Sequence, residues 1–156
     1  MWTSSSCCVK SGSPTGDPLI AYLDASVLLR VLLGQPDRLA EWKEIDTAVG
    51  SALVEVECLR ALDRLRLSEQ IPSERIALHR EATYRLTAEM ELIEPNWPVL
   101  RRAAQPFPVP LGTLDALHLA TALLWHDTRD DELVLATHDR ALALAARSCG
   151  LSVAGA

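Results

Sequence analysis

The sequence predicts an α/β fold in which a mostly parallel sheet is covered by helices on both faces. Three observations carry this. Short apolar runs alternate along the chain with longer segments of helical periodicity, the pattern of strands joined by crossover helices. The first run, Leu19 to Leu23 (LIAYL), has no polar alternation, as suits a strand buried on both faces. The length of 156 residues fits one domain.

Residues 1–18 are rich in Ser, Gly and Pro and contain no apolar stretch of signal-peptide length. They read as a flexible leader with no face to bury, and residues 19–156 read as the folded domain. After LIAYL comes Asp24, then a helix over Ala25 to Leu33 that Gly34 stops. The polar stretch Asp37 to Asp46 reads as a helix around Trp42. Thr47 to Ser51 fits a short strand, with Ser51 capping a helix that runs to about Leu67. Pro72 breaks the pattern, and Ser73 reads as the cap of a helix over Glu74 to Met90. Leu92 and Ile93 fit a strand. Asn96 caps a short helix that tolerates Pro98 in its first turn. Three prolines make Gln105 to Gly112 a loop, after which Thr113 reads as the cap of a helix to about His126. Leu133 to Ala136 (LVLA) is another strand, Ala141 to Ser148 a helix stopped by Gly150, and Leu151 to Val153 a last strand.

Composition narrows the function. A hydrophobic content of 49% excludes a disordered chain, and aromatics at 4% make the core aliphatic. No apolar run approaches the roughly 20 residues of a membrane-spanning helix. The net charge of −6 argues against nonspecific coating of a phosphate backbone. Local contacts stay available, because every basic residue except Lys10 and Lys43 is arginine, which grips phosphate in a bidentate way. Cys7, Cys8, Cys58 and Cys149 show neither a Cys-x-x-Cys pair nor zinc-finger spacing. They read as reduced thiols of a cytoplasmic protein.

In open parallel sheets, ligands bind beyond the carboxyl ends of the strands. Asp24 follows LIAYL and Asp139 follows LVLAT, so both fall there, and Asp115 opens the helix after the proline-rich loop. The helix to Leu67 carries an apolar stripe of Val54, Cys58, Ala61, Leu62 and Leu65. Glu55 flanks one edge of that stripe and Glu57 the other, and periodicity does not choose between them. Glu57 reads equally as the surface partner of Arg60 or Arg64, and Glu55 as a solvated edge near Arg66. Two carboxylates 4 Å apart repel by about 4 kcal/mol at an effective dielectric of 20. Several in one place therefore call for a cation, and all-oxygen ligands suit Mg²⁺ or Mn²⁺. Such ions activate water for attack on a phosphodiester.

The blocks YLDASVLLRVLL, SALVEVECLRALDRL, LGTLDALHLATALL and LATHDRALALAARSCGLSV resemble the PIN domain, most closely the VapC-type toxins of bacterial toxin–antitoxin pairs. The resemblance runs from about Leu19 to Val153. It implies a three-layer α/β/α sandwich and a metal-dependent endoribonuclease that leaves a 3′-hydroxyl and a 5′-phosphate. Matched block by block, the family's acidic residues fall on Asp24, Glu57, Asp115 and Asp139, which favours Glu57 over Glu55. Thr137 falls where the family often has a hydroxyl near the metal. A cognate antitoxin is the implied partner and RNA the substrate, while the apolar surface of the helices points to a homodimer through another face. The helices after the first strand, with Leu28, Leu29, Leu32 and Leu33, are expected to form a groove for an apolar antitoxin segment.

The remaining residues have plainer readings. His118 shares a helix face with Asp115 and reads as packed or hydrogen-bonded, while His138 beside Asp139 is a candidate phosphate contact. Arg101, Arg102 and the group Arg60, Arg64 and Arg66 are candidates for RNA phosphates. Trp97 and Trp125 read as packing residues. A haloacid-dehalogenase-type phosphatase needs a second aspartate where Ser26 stands. A catalytically silent PIN-like interaction module is the other alternative, and the presence of all four acids speaks against it.

Overall fold

The computed structural model of the chain describes residues 18–68, 70–129 and 131–156. The expected leader, with Cys7 and Cys8, lies outside the described residues except for Pro18. Five strands form one sheet: β1 (Ile20–Leu23), β2 (Thr47–Ser51), β3 (Glu91–Ile93), β4 (Leu133–Ala136) and β5 (Ser152–Ala154). Their order is β3-β2-β1-β4-β5, and every neighbouring pair is parallel. Tyr22 on β1 lies opposite Val49 on β2 and Leu135 on β4. From β1 the chain builds outward through β2 to one edge, then returns to place β4 on the other side. The ends of β1 and β4 therefore flank the topological switch point, where open α/β sheets bind ligands.

Six helices connect the strands: α1 (Ala25–Leu32), α2 (Leu53–Leu67), α3 (Ser73–Ala88), α4 (Trp97–Ala103), α5 (Thr113–Asp127) and α6 (Arg140–Ser148). The period-2 pleat of β1 splits the core in two. Ile20 and Tyr22 face Leu119, Ala122 and Leu123 of α5 and Leu142, Ala145 and Ala146 of α6. Ala21 and Leu23 face Val27, Leu28 and Leu32 of α1 and Val54 and Cys58 of α2. Two apolar layers around one sheet make the expected α/β/α sandwich. Among the described residues no helix is long and apolar enough to cross a membrane.

Several local expectations need correction. Asp37 to Asp46 forms only one 3-10 turn, Ala40–Lys43, and its apolar residues Leu39, Trp42 and Ile45 reach the core at every third position, the period of a 3-10 rather than an α-helix. Pro72, not Ser73, stands before α3, and Gly112, not Thr113, before α5, and neither helix has a side-chain cap. In both places the backbone turns helical one residue early, so the hydroxyl residue is already inside. Ser51 ends β2, yet its hydroxyl still accepts the Leu53 amide at 3.2 Å. Asn96 does cap α4 through Val99 N–H. Gly34 follows α1 at φ 65°, a conformation that a side chain would strain. Leu28 and Leu32 are core residues, so they line no surface groove.

Candidate active site

Asp24 sits where β1 ends and α1 begins, and it is 5% exposed. Burial of a carboxylate is costly unless donors surround it, and here three do. Oδ1 accepts from the Ser26 hydroxyl at 2.7 Å and the Val27 amide at 3.2 Å. Oδ2 accepts from the Thr137 hydroxyl at 2.7 Å. The Val27 bond caps α1, so one carboxylate both starts a helix and faces the end of β4.

At that end the Thr137-His138-Asp139 turn is held from several sides. The Thr137 hydroxyl, fully buried, accepts the Asp139 amide at 2.9 Å. Asp139 Oδ1 accepts the Ala141 and Leu142 amides at 2.8 and 2.9 Å, capping α6. The His138 amide donates to the Ser26 hydroxyl at 2.9 Å, and its Nδ1 lies 2.7 Å from the Gly155 carbonyl. Gly155, at φ 89°, packs so closely that a Cβ would stand 2.8 Å from the Thr137 carbonyl.

Asp115 lies in the first turn of α5. Partial burial pushes its carboxyl above the usual carboxylate range. The charge of Asp139 adds to this, and those of Asp24 and Glu57 add further, while His118 acts in the opposite sense. Glu57 on α2 and His118 on α5 come from opposite layers, and Glu57 Oε2 stands 2.6 Å from His118 Nε2. His118 Nδ1 is 3.0 Å from the Tyr22 hydroxyl, which accepts the Ser51 amide at 3.1 Å. Glu55 points elsewhere: the Thr87 hydroxyl donates to it at 2.5 Å, joining α2 to α3.

Asp115 thus feels the charges of Asp139, Asp24 and Glu57, and Thr137 ties Asp24 to the Asp139 backbone. Among the described residues, however, no three His, Cys, Asp or Glu side chains group tightly enough to cage an ion. The four acids offer oxygen donors alone, the ligand type of Mg²⁺ and Mn²⁺, whereas Zn²⁺ prefers nitrogen or sulfur in a closed tetrahedron. Neither described cavity is lined by these acids. The larger, 450 Å³, lies between Ala103, the proline-rich loop and Ala116.

Other sequence readings divide. Trp125 is buried, as expected, with its indole N–H on Glu91. Trp97 is 64% exposed, contrary to a packing role, with the Arg101 guanidinium 5.4 Å from its ring centroid. Arg60 and Arg66 both pair with Asp63 rather than with the flanking glutamates. The hydrogen-bonded reading of His118 holds, with Glu57 and Tyr22 as its partners, whereas sequence reasoning missed the contacts of Tyr22 and Ser26.

A family model described as the PIN domain matches residues 21–148. The chain belongs to the PIN domain family. All four acids fall inside the matched span. This PIN domain is 33% identical over 135 residues to Ribonuclease VapC46 of Mycobacterium tuberculosis, covering 85% of this chain and 94% of that one. Solved structures share its fold. A protein of Pyrobaculum aerophilum superposes with a TM-score of 0.58 at 20% identity, covering 86% and 89% of the two chains. A toxin–antitoxin complex from Klebsiella pneumoniae gives 0.55 at 17% identity, covering 79% and 90%. VapBC-5 of Mycobacterium tuberculosis, from the VapBC family of toxin–antitoxin systems, gives 0.51 at 22%, covering 87% and 96%.

Proposed function

We propose that this PIN domain is a metal-dependent endoribonuclease, the toxin of a toxin–antitoxin pair, with Asp24, Glu57, Asp115 and Asp139 as its acidic site. The observation that carries the reading is the Asp24 carboxylate, buried at the switch point and tied through Thr137 to Asp139. Capping α1 through the Val27 amide does not require the second bond to Thr137 at the end of β4. The 33% identity to a protein named as a ribonuclease supports the activity class.

Asp24, Glu57, Asp115 and Asp139 would hold Mg²⁺, with Mn²⁺ as the alternative. When bound, such an ion supplies Lewis-acid activation of the phosphodiester and of water. The chain's own residues fix the geometry. Ser26, Val27 and Thr137 stop the Asp24 carboxylate from turning. Both Asp139 bonds to α6 use Oδ1, so Oδ2 would be the oxygen offered to an ion. No side-chain nucleophile is required.

An antitoxin partner is supported by the solved relative described as a toxin–antitoxin complex. Val56, Leu67, Leu78 and Tyr84 leave α2 and α3 with exposed apolar side chains, suited to an apolar partner segment. A homodimer and a cytoplasmic location complete the proposal. The test is controlled expression of the chain with and without the protein encoded beside it, followed by mapping of the 5′ ends of cellular RNAs. New ends at a restricted set of sites, suppressed by the neighbour, are expected. Unchanged RNA ends would leave a silent interaction module in place of a toxin.

A further inference from the structure

We propose that His118 is a positioning residue for Glu57, held in one tautomer by Tyr22, so that four elements together aim one carboxylate. This rests on the acidic site proposed above. Glu57 Oε2 lies 2.6 Å from His118 Nε2, and an ionised carboxylate only accepts, so Nε2 carries the proton. At the far end the Ser51 amide only donates, and it gives its hydrogen to the Tyr22 oxygen at 3.1 Å. In this proposal the Tyr22 O–H points to His118 Nδ1, 3.0 Å away. The chain of donors has one direction, from the backbone of β2 through β1 and α5 to α2.

Both linking side chains are locked. Tyr22 is fully buried and His118 is 2% exposed. One Glu57 oxygen is occupied by the imidazole, which would leave Oε1 for an ion. Carboxylates and imidazoles that bind metals are commonly oriented by such outer partners, whose loss costs about 10–100-fold in metal affinity or activity. The same helix thus brings both an acid of the site, Asp115, and the group that aims a second one.

The experiment compares His118→Asn, His118→Gln and Tyr22→Phe with wild type in the full chain. A glutamine amide reaches roughly where Nε2 stands and can still donate to Glu57. An asparagine amide reaches only the Nδ1 position. Mn²⁺ binding is measured by calorimetry, cleavage of an RNA substrate gives kcat and KM, and folding is monitored by melting temperature. His118→Asn is expected to weaken Mn²⁺ binding and lower kcat by about tenfold or more at unchanged KM, with His118→Gln recovering most of the loss. Long-range proton–nitrogen NMR of the metal-free wild type should show Nε2 protonated and Nδ1 bare, and Tyr22→Phe should abolish that single tautomer. Equal Mn²⁺ affinity and kcat in Asn, Gln and wild type would overturn the positioning role alone. If His118→Asn does not fold, the NMR tautomer and Mn²⁺ affinity of Tyr22→Phe decide, and wild-type values for both overturn the proposal. A wild type that binds no Mn²⁺ and cuts no RNA overturns the proposed function as well.

Discussion

The Thr137 hydroxyl donates to Asp24 at 2.7 Å across 113 positions of sequence, while accepting the Asp139 amide at 2.9 Å. One buried hydroxyl therefore joins the ends of two adjacent strands and sets the relative position of two acids. Replacing Thr137 by Val keeps the shape and removes both bonds. The expected cost is about 1.5–3 kcal/mol, the range for hydrogen bonds to charged groups. Urea unfolding measures it, with Thr137→Ser expected to recover most of the loss.

Asp115 carries an unfavourable charge in the metal-free protein. Its folded carboxyl titrates above the ordinary value because of burial first and Asp139 second. Stability associated with the protonated form is therefore present at acid pH and lost as pH rises through the raised value. Deprotonation of Asp115 at higher pH thus costs the metal-free fold stability. Asp115→Asn should thus melt higher than wild type at pH 7 in chelator, and gain less from added Mg²⁺. A lower melting temperature in chelator would contradict the crowding of charge.

Cys58 is buried, and its thiol is pushed up to about 12, first by burial and then by the charges of Glu57, Asp24 and Glu55. The reactive form is the thiolate, so this cysteine is expected to resist maleimide at pH 7.5. Cys149 is half-buried and should react. Peptide mapping by mass spectrometry should find Cys58 modified only after denaturant is added.

Light scattering should give a mass twice the 17.1 kDa of one chain. The protein encoded beside this one should bind it and suppress its cleavage of RNA. A monomer whose activity that neighbour leaves unchanged would remove both partner claims.

Much of this architecture was legible in the sequence because local pattern and burial coincide. LIAYL and LVLA are apolar on both faces, and both sides of the sheet are covered. Their following aspartates were placed by the same reasoning. Helix starts at Ser73 and Thr113 were misplaced because a hydroxyl near a boundary resembles a cap whether it stands just outside the helix or just inside. The choice between Glu55 and Glu57 could not come from one helix. It depends on Thr87 from α3 and His118 from α5, neither close in sequence. The Tyr22–His118 contact spans 96 positions, and no local signal marks a tyrosine in an apolar strand as a proton donor to a distant histidine.

The most direct measurement is cleavage of RNA by the purified chain with Mg²⁺, with chelator, and in the Asp24→Asn and Asp139→Asn variants, each verified as folded. Cleavage with Mg²⁺ that chelator abolishes, and a fall of at least about a hundredfold in both variants, are the expected results. Cleavage that persists in chelator, or in the folded Asp24→Asn protein, would contradict a metal site built on these carboxylates.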